Sequence, residues 1–102
     1  MKTLKLIALL LILLPGFAHA ELRNGMDAVV VLGQPDFQSS AANNGGRSAQ
    51  TLSFPTFLYS DGKRLFVGDL SNNRVLIWNT IPNKNFSPAD IVLGQPGFTT
   101  AV

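Results

Sequence analysis

Phe54-Pro55-Thr56-Phe57-Leu58-Tyr59-Ser60-Asp61-Gly62-Lys63-Arg64-Leu65-Phe66-Val67-Gly68-Asp69-Leu70-Ser71-Asn72-Asn73-Arg74-Val75-Leu76-Ile77-Trp78-Asn79 sets the fold class in three apolar runs and two turns. Residues 56–60 read as a strand entered through Pro55, since β-branched and aromatic side chains suit a pleated surface and Pro sits at a strand's first position. Asp61-Gly62 is a hairpin turn pair, with Gly free to take positive φ. Residues 64–69 form the returning strand, Ser71-Asn72-Asn73 turn the chain again, and residues 74–79 form a third strand. Val75-Leu76-Ile77-Trp78 is a continuous apolar run rather than an alternation. A strand with one wet face alternates, so this run predicts a sheet covered on both faces.

Outward from this core, Ile81–Pro88 is a loop with two prolines and residues 90–93 make a further strand. Upstream, residues 28–32 (Ala-Val-Val-Val-Leu) read as a strand, and residues 36–51 as a connecting loop of turn-forming Ser, Asn and Gly. The two outer strands open near-copies of one phrase. Ala28-Val29-Val30-Val31-Leu32-Gly33-Gln34-Pro35-Asp36-Phe37 returns 61 residues later as Ala89-Asp90-Ile91-Val92-Leu93-Gly94-Gln95-Pro96-Gly97-Phe98, identical at seven of ten positions. Repetition at a fixed period marks an architecture in which one unit cannot bury its own apolar faces. The expected fold is all-β: one four-stranded antiparallel sheet plus one extra strand. Stacked sheets, as in a propeller, meet the demand for two covered faces, and so does a β-sandwich core; the period favours a propeller blade.

The first twenty residues stand apart. Lys2 and Lys5 precede the apolar run Leu6–Leu14, Pro15-Gly16 ends it, and Ala18-His19-Ala20 is a small-residue cleavage site before Glu21. This is the pattern of a secretory signal peptide over residues 1–20, and the run is too short for a membrane span, which needs about 20 apolar residues. The expected domain is then residues 21–102, secreted, periplasmic or on the cell surface. The formal net charge of +2 rests on the two leader lysines. Beyond them Arg23, Arg47, Lys63, Arg64, Arg74 and Lys84 balance Glu21, Asp27, Asp36, Asp61, Asp69 and Asp90. Balanced charge predicts neither nucleic-acid nor anionic-membrane binding.

The single His, His19, lies in the leader and the chain has no Cys. Residues 21–102 therefore lack the imidazole and thiol of Ser-His-Asp or Cys-His catalysis and of ordinary zinc sites. Asp61, Asp69 and Asp90 fall in different elements without calcium-loop spacing. No catalytic residue, metal or cofactor is expected.

In order and spacing, Pro55, Asp61, Gly62, Val67, Asp69, Asn73, Arg74 and Val75 resemble the NHL repeat: Pro and an apolar strand, an Asp-Gly turn, a strand ending Val-Ala-Asp, then Asn-Arg-Val. Gly68 replaces the usual Ala, and Leu58-Tyr59 replaces small and Val-rich residues. The Val-Leu-Gly-Gln-Pro-Asp-Phe phrase resembles a subgroup of exported bacterial NHL-repeat proteins in which it recurs once per unit. The resemblance covers residues 27–102 and implies about one blade of a propeller. It also implies an exported, non-enzymatic interaction or scaffold module whose partners are other blades, a second copy, or a protein or glycan. The broader propeller families include lactonases and metal-dependent lyases, so an enzyme fragment is one alternative, and a truncated reading frame without independent function is another.

The turn motif Asp69, Asn72, Asn73 and Arg74 is expected to be structural. Asp69 would accept hydrogen bonds from backbone N–H groups of the 71–73 turn, and the two Asn would tolerate positive φ there. Arg74 would reach a carboxylate, with Asp36 as one candidate, or carbonyls of an adjacent blade. The competing reading is ligand contact at a channel mouth. Phe54, Phe57, Tyr59, Phe66, Trp78 and Phe98 are expected to serve mainly packing, with a carbohydrate platform as the alternative. Asn85-Phe86-Ser87 matches a glycosylation sequon by chance, with Pro88 behind it. With two sheet faces and edges uncovered, residues 21–102 are expected not to be a stable monomer.

Overall fold

The structure, a computed structural model, describes residues 21–102, and the leader expected over residues 1–20 lies outside them. Four strands form one antiparallel sheet in sequence order: β1 (Pro55–Ser60), β2 (Leu65–Asp69), β3 (Arg74–Trp78) and β4 (Ile91–Leu93). The four boundaries agree with the sequence reading to within one residue at each end. Asp61-Gly62 turns the first hairpin: Gly62 has φ +94°, and the Asp61 Oδ1 accepts from the N–H groups of Lys63 and Arg64. A single 3-10 turn (Leu70–Asn72) joins β2 to β3 and ends on Asn73 in the left-handed region. An Asn there loses little, because its short polar side chain is tolerated at positive φ.

Cross-strand partners share a face. Leu65 opposes Trp78 and Val67 opposes Leu76, so these four share one face with the Asp69–Arg74 pair. Leu58 joins this face opposite Val67, and Val92 joins it opposite Leu76. Leu65, Val67, Leu76 and Trp78 form the core with Ala89, and Leu32, Leu52, Val92 and Phe98 pack against it. The opposite face carries Phe57, Tyr59, Phe66, Gly68, Val75, Ile77, Ile91 and Leu93 by the same register. Leu76, Ile77 and Trp78 are all buried, so β3 is covered on both sides as its unbroken apolar run requires. Trp78 also satisfies its indole by donating from Nε1 to the Ser87 carbonyl at 3.0 Å.

The extra strand expected over residues 28–32 is not formed. No ladder runs along it, and the nearest regular pairing is one isolated parallel bridge between Gly33 and Thr51. The segment is fastened through Val31 instead, whose N–H donates to the Asn85 Oδ1 and whose carbonyl accepts from the Phe86 N–H. High β-propensity needs a free edge beside it, and this segment lies over the core face rather than beside the sheet.

From the glycine onward the two phrases nevertheless take the same local shape. Gly33 and Gly94 have φ +86° and +92°. The Gln34 Nε2 donates to the Ala41 carbonyl, and the Gln95 Nε2 donates to that of Val102, the matching residue 61 positions on. The Ser39 hydroxyl donates back to the Asp36 carboxylate, and the Thr100 hydroxyl donates back to the Gly97 carbonyl. The repeat is thus one of conformation as well as of sequence.

Candidate functional site

Two features could carry function: a buried polar cluster behind the β2–β3 turn, and an exposed apolar sheet edge. The cluster begins with the pairing register. Asp69 closes β2 and Arg74 opens β3, so the short turn sets them directly opposite each other. The Arg74 Nε donates to the Asp69 Oδ2 at 2.8 Å, with both side chains fully buried. The Nη1 of Arg74 donates to the Phe98 carbonyl at 2.6 Å, and Nη2 to the carbonyls of Ser48 and Thr51 at 2.9 and 2.8 Å. The planar fork of guanidinium donors suits this work. Asp69 accepts twice more, from the Ser53 N–H at 2.7 Å and the Asn72 Nδ2 at 2.7 Å.

Asn72 extends the cluster to the loop. Its amide exchanges hydrogen bonds with that of Asn43 at 2.8 and 3.0 Å, and its Oδ1 also accepts from the Arg47 Nε at 2.8 Å. Among the described residues no buried side-chain nitrogen or oxygen lacks a partner. The cluster is therefore an anchor with its hydrogen-bonding capacity used internally.

The four residues of the turn motif are brought together, but two expected contacts are corrected. Asp69 does not cap the 71–73 turn; no side-chain cap bond is made there, because its oxygens are taken by Ser53, Asn72 and Arg74. Asp36 is not the partner of Arg74: its carboxylate accepts from Gln38 and Ser39 in its own loop. Those bonds hold the Asp36 carboxyl below the usual carboxylate range, led by the Ser39 hydroxyl. Only Asn73, not Asn72, takes positive φ. The partners Asn43, Arg47, Ser48, Thr51 and Ser53 were missed, since a polar loop gives no periodic signal. The Asp69–Arg74 pairing was missed as well, although strands ending at 69 and starting at 74 set the two residues opposite each other.

The second feature is β1. All six of its residues are exposed, with Phe57, Leu58 and Tyr59 at 51%, 70% and 61%. The Phe57 ring rests on Gly68, where even a methyl group would collide with it, which gives the glycine at this position its physical reason. Beside it lies an open apolar depression of about 430 Å³ whose lining includes Leu70, Val75 and Leu93. Tyr59 tilts against Phe66 with ring centroids 5.7 Å apart, and the Arg64 guanidinium lies 5.5 Å from the centre of the same Phe66 ring. Of the six aromatics expected to pack, Trp78 is buried in the core, Phe98 packs against it and Phe66 is half-buried, while Phe54, Phe57 and Tyr59 are exposed.

At the hairpin tip the carboxyl of Asp61 is lowered to about 2, first by the Arg64 backbone N–H, then by that of Lys63 and by the Arg64 side chain. Among the described residues no three His, Cys, Asp or Glu side chains converge as metal ligands, and no helix is long and apolar enough to cross a membrane. Neither a known protein family nor a curated protein nor a solved structure matches this chain.

Proposed function

We propose that this chain is an exported, non-enzymatic interaction module of the NHL-repeat type, forming about one blade of a propeller. It binds a protein or glycan through the apolar edge of its sheet. The observation that carries this reading is the exposure of β1, whose Phe57 and Tyr59 stand on one face of the edge strand. Contiguous exposed apolar and aromatic surface is the usual mark of an interaction site. The Asp69–Arg74 cluster supports it from the other side, since its donors and acceptors are spent on holding the fold. The Pro55, Asp61-Gly62, Asp69 and Asn73-Arg74-Val75 pattern supports the repeat type, and the leader pattern over residues 1–20 supports export.

The test presents the chain to an oligosaccharide array and to detergent-solubilised envelope proteins of the producing cell. Saturable binding is expected on one of the two, weakened at least about tenfold in a Phe57→Ala/Tyr59→Ala double variant, as loss of an aromatic anchor does. Undiminished binding by that variant overturns the reading, and so does hydrolysis of a lactone by the native chain.

A further inference from the structure

We propose that the face of the sheet bearing Ile91 and Leu93 is covered by the Leu52–Leu58–Leu65–Val67 surface of a second copy of this chain. The contact copies one the chain already makes within itself. This deepens the reading of the chain as a repeat-built interaction module and rests on it.

The argument runs from the repeat. Ile91 and Leu93 are the counterparts of Val30 and Leu32, 61 positions on, in phrases that share their local shape from the glycine onward. Ile91 and Leu93 are 39% and 52% exposed on the open face of the sheet. Their counterparts are half-buried. Val30 and Leu32 line one open apolar depression of about 470 Å³ together with Leu52, Leu58, Leu65 and Val67, and Leu32 and Leu52 both pack on the core. The chain therefore displays what such a phrase rests on: the core face of the unit that follows it. Applied to the second phrase, the same relation places the core face of another copy over Ile91 and Leu93.

The contact is between two different surfaces, so it propagates head to tail and closes into a ring or runs on as a filament. In the receiving copy, residues 28–32 give up their place. They are held by the Val31 contacts to Asn85 and Phe86 and by the Gly33–Thr51 bridge, not by a ladder. The exchange replaces like with like, Leu93 for Leu32, and buries an apolar face besides.

Because the chain has no cysteine, introduced thiols are the only ones present. A Leu52→Cys/Leu93→Cys variant of the full chain, treated with a short bismaleimide, is expected to yield linked chains beyond the dimer. Leu52 packs with the core face and Leu93 lies on the other, so linkage within one chain is not expected. A Leu32→Cys/Leu52→Cys variant is the control for the fold and should close within one chain. Products no larger than dimers from the first variant, where the control closes, overturn the proposal. Sedimentation equilibrium checks it without thiols: the mass of the native chain should rise with concentration, and Leu93→Lys should remain monomeric. A native chain that stays monomeric throughout, or a Leu93→Lys chain that assembles as well as the native one, also overturns it. Array binding is read in a separate experiment, on the native chain and its Phe57→Ala/Tyr59→Ala variant, so the two readings fail separately.

Discussion

The fully buried Asp69–Arg74 pair is the residue on which most depends. Removing Asp69 leaves a guanidinium buried without its counter-charge and frees the Ser53 N–H and the Asn72 amide as well. Breaking one partner out of a buried pair costs about 3–5 kcal/mol. Asp69→Ala is expected to lose that much in urea denaturation, whereas removal of the exposed Asp36 carboxylate by Asp36→Ala should cost far less. Asp61 makes a different prediction. Its folded carboxyl titrates at about 2, below the ordinary Asp value near 4. A depressed carboxylate stabilises the hairpin above the unfolded value, and that contribution is lost as pH falls from about 4 toward 2. An NMR titration of the Asp61 carboxyl should give the low midpoint, and Asp61→Asn should flatten this part of the stability profile. Legibility differed between these residues. The Asp61 turn could be read from Asp-Gly alone, while the Arg74 partners Ser48, Thr51 and Phe98 lie 23–26 positions away and enter by backbone carbonyls that no residue type advertises.

Among elements, the first three strands and their turns were readable because local propensity, turn chemistry and apolar runs agree there. Residues 28–32 misled for a physical reason. Their composition is as apolar and β-branched as that of β4, but a strand exists only beside a partner, and β4 already holds the edge of β3 with Val75 opposite Leu93. The glycine that follows β4 ties it down. Gly94 has φ +92°, and a Cβ there would stand 3.0 Å from the Asn73 carbonyl oxygen, while Gly45 has φ +85° with nothing within 4 Å. Gly45→Ala should therefore cost backbone strain of about 1–2 kcal/mol alone. Gly94→Ala should cost more, and amide exchange should show β4 loosening first. Equal losses at the two sites would mean that the close approach to the turn contributes nothing.

At the scale of the molecule, one face of the sheet has a core and the other ends in open apolar side chains at both edges. A chain so built gains stability when that face is covered, and binding of copies to one another shifts unfolding by mass action. The urea midpoint is expected to climb as protein concentration rises over about a hundredfold range. A midpoint that stays fixed across that range would contradict this. The covered-face requirement was legible in Val75–Trp78; which face stays open was not, because that depends on where residues 28–52 cross the sheet.

The anchor of Arg74 has one more consequence. It grips the loop by the main-chain oxygens of Ser48 and Thr51, which any amino acid supplies. The side chains of the exposed loop positions are thereby released from the task of holding the loop in place. Over evolutionary time such a segment can drift, acquire new surface chemistry and change allegiance, while two residues at one turn keep the scaffold beneath it unchanged.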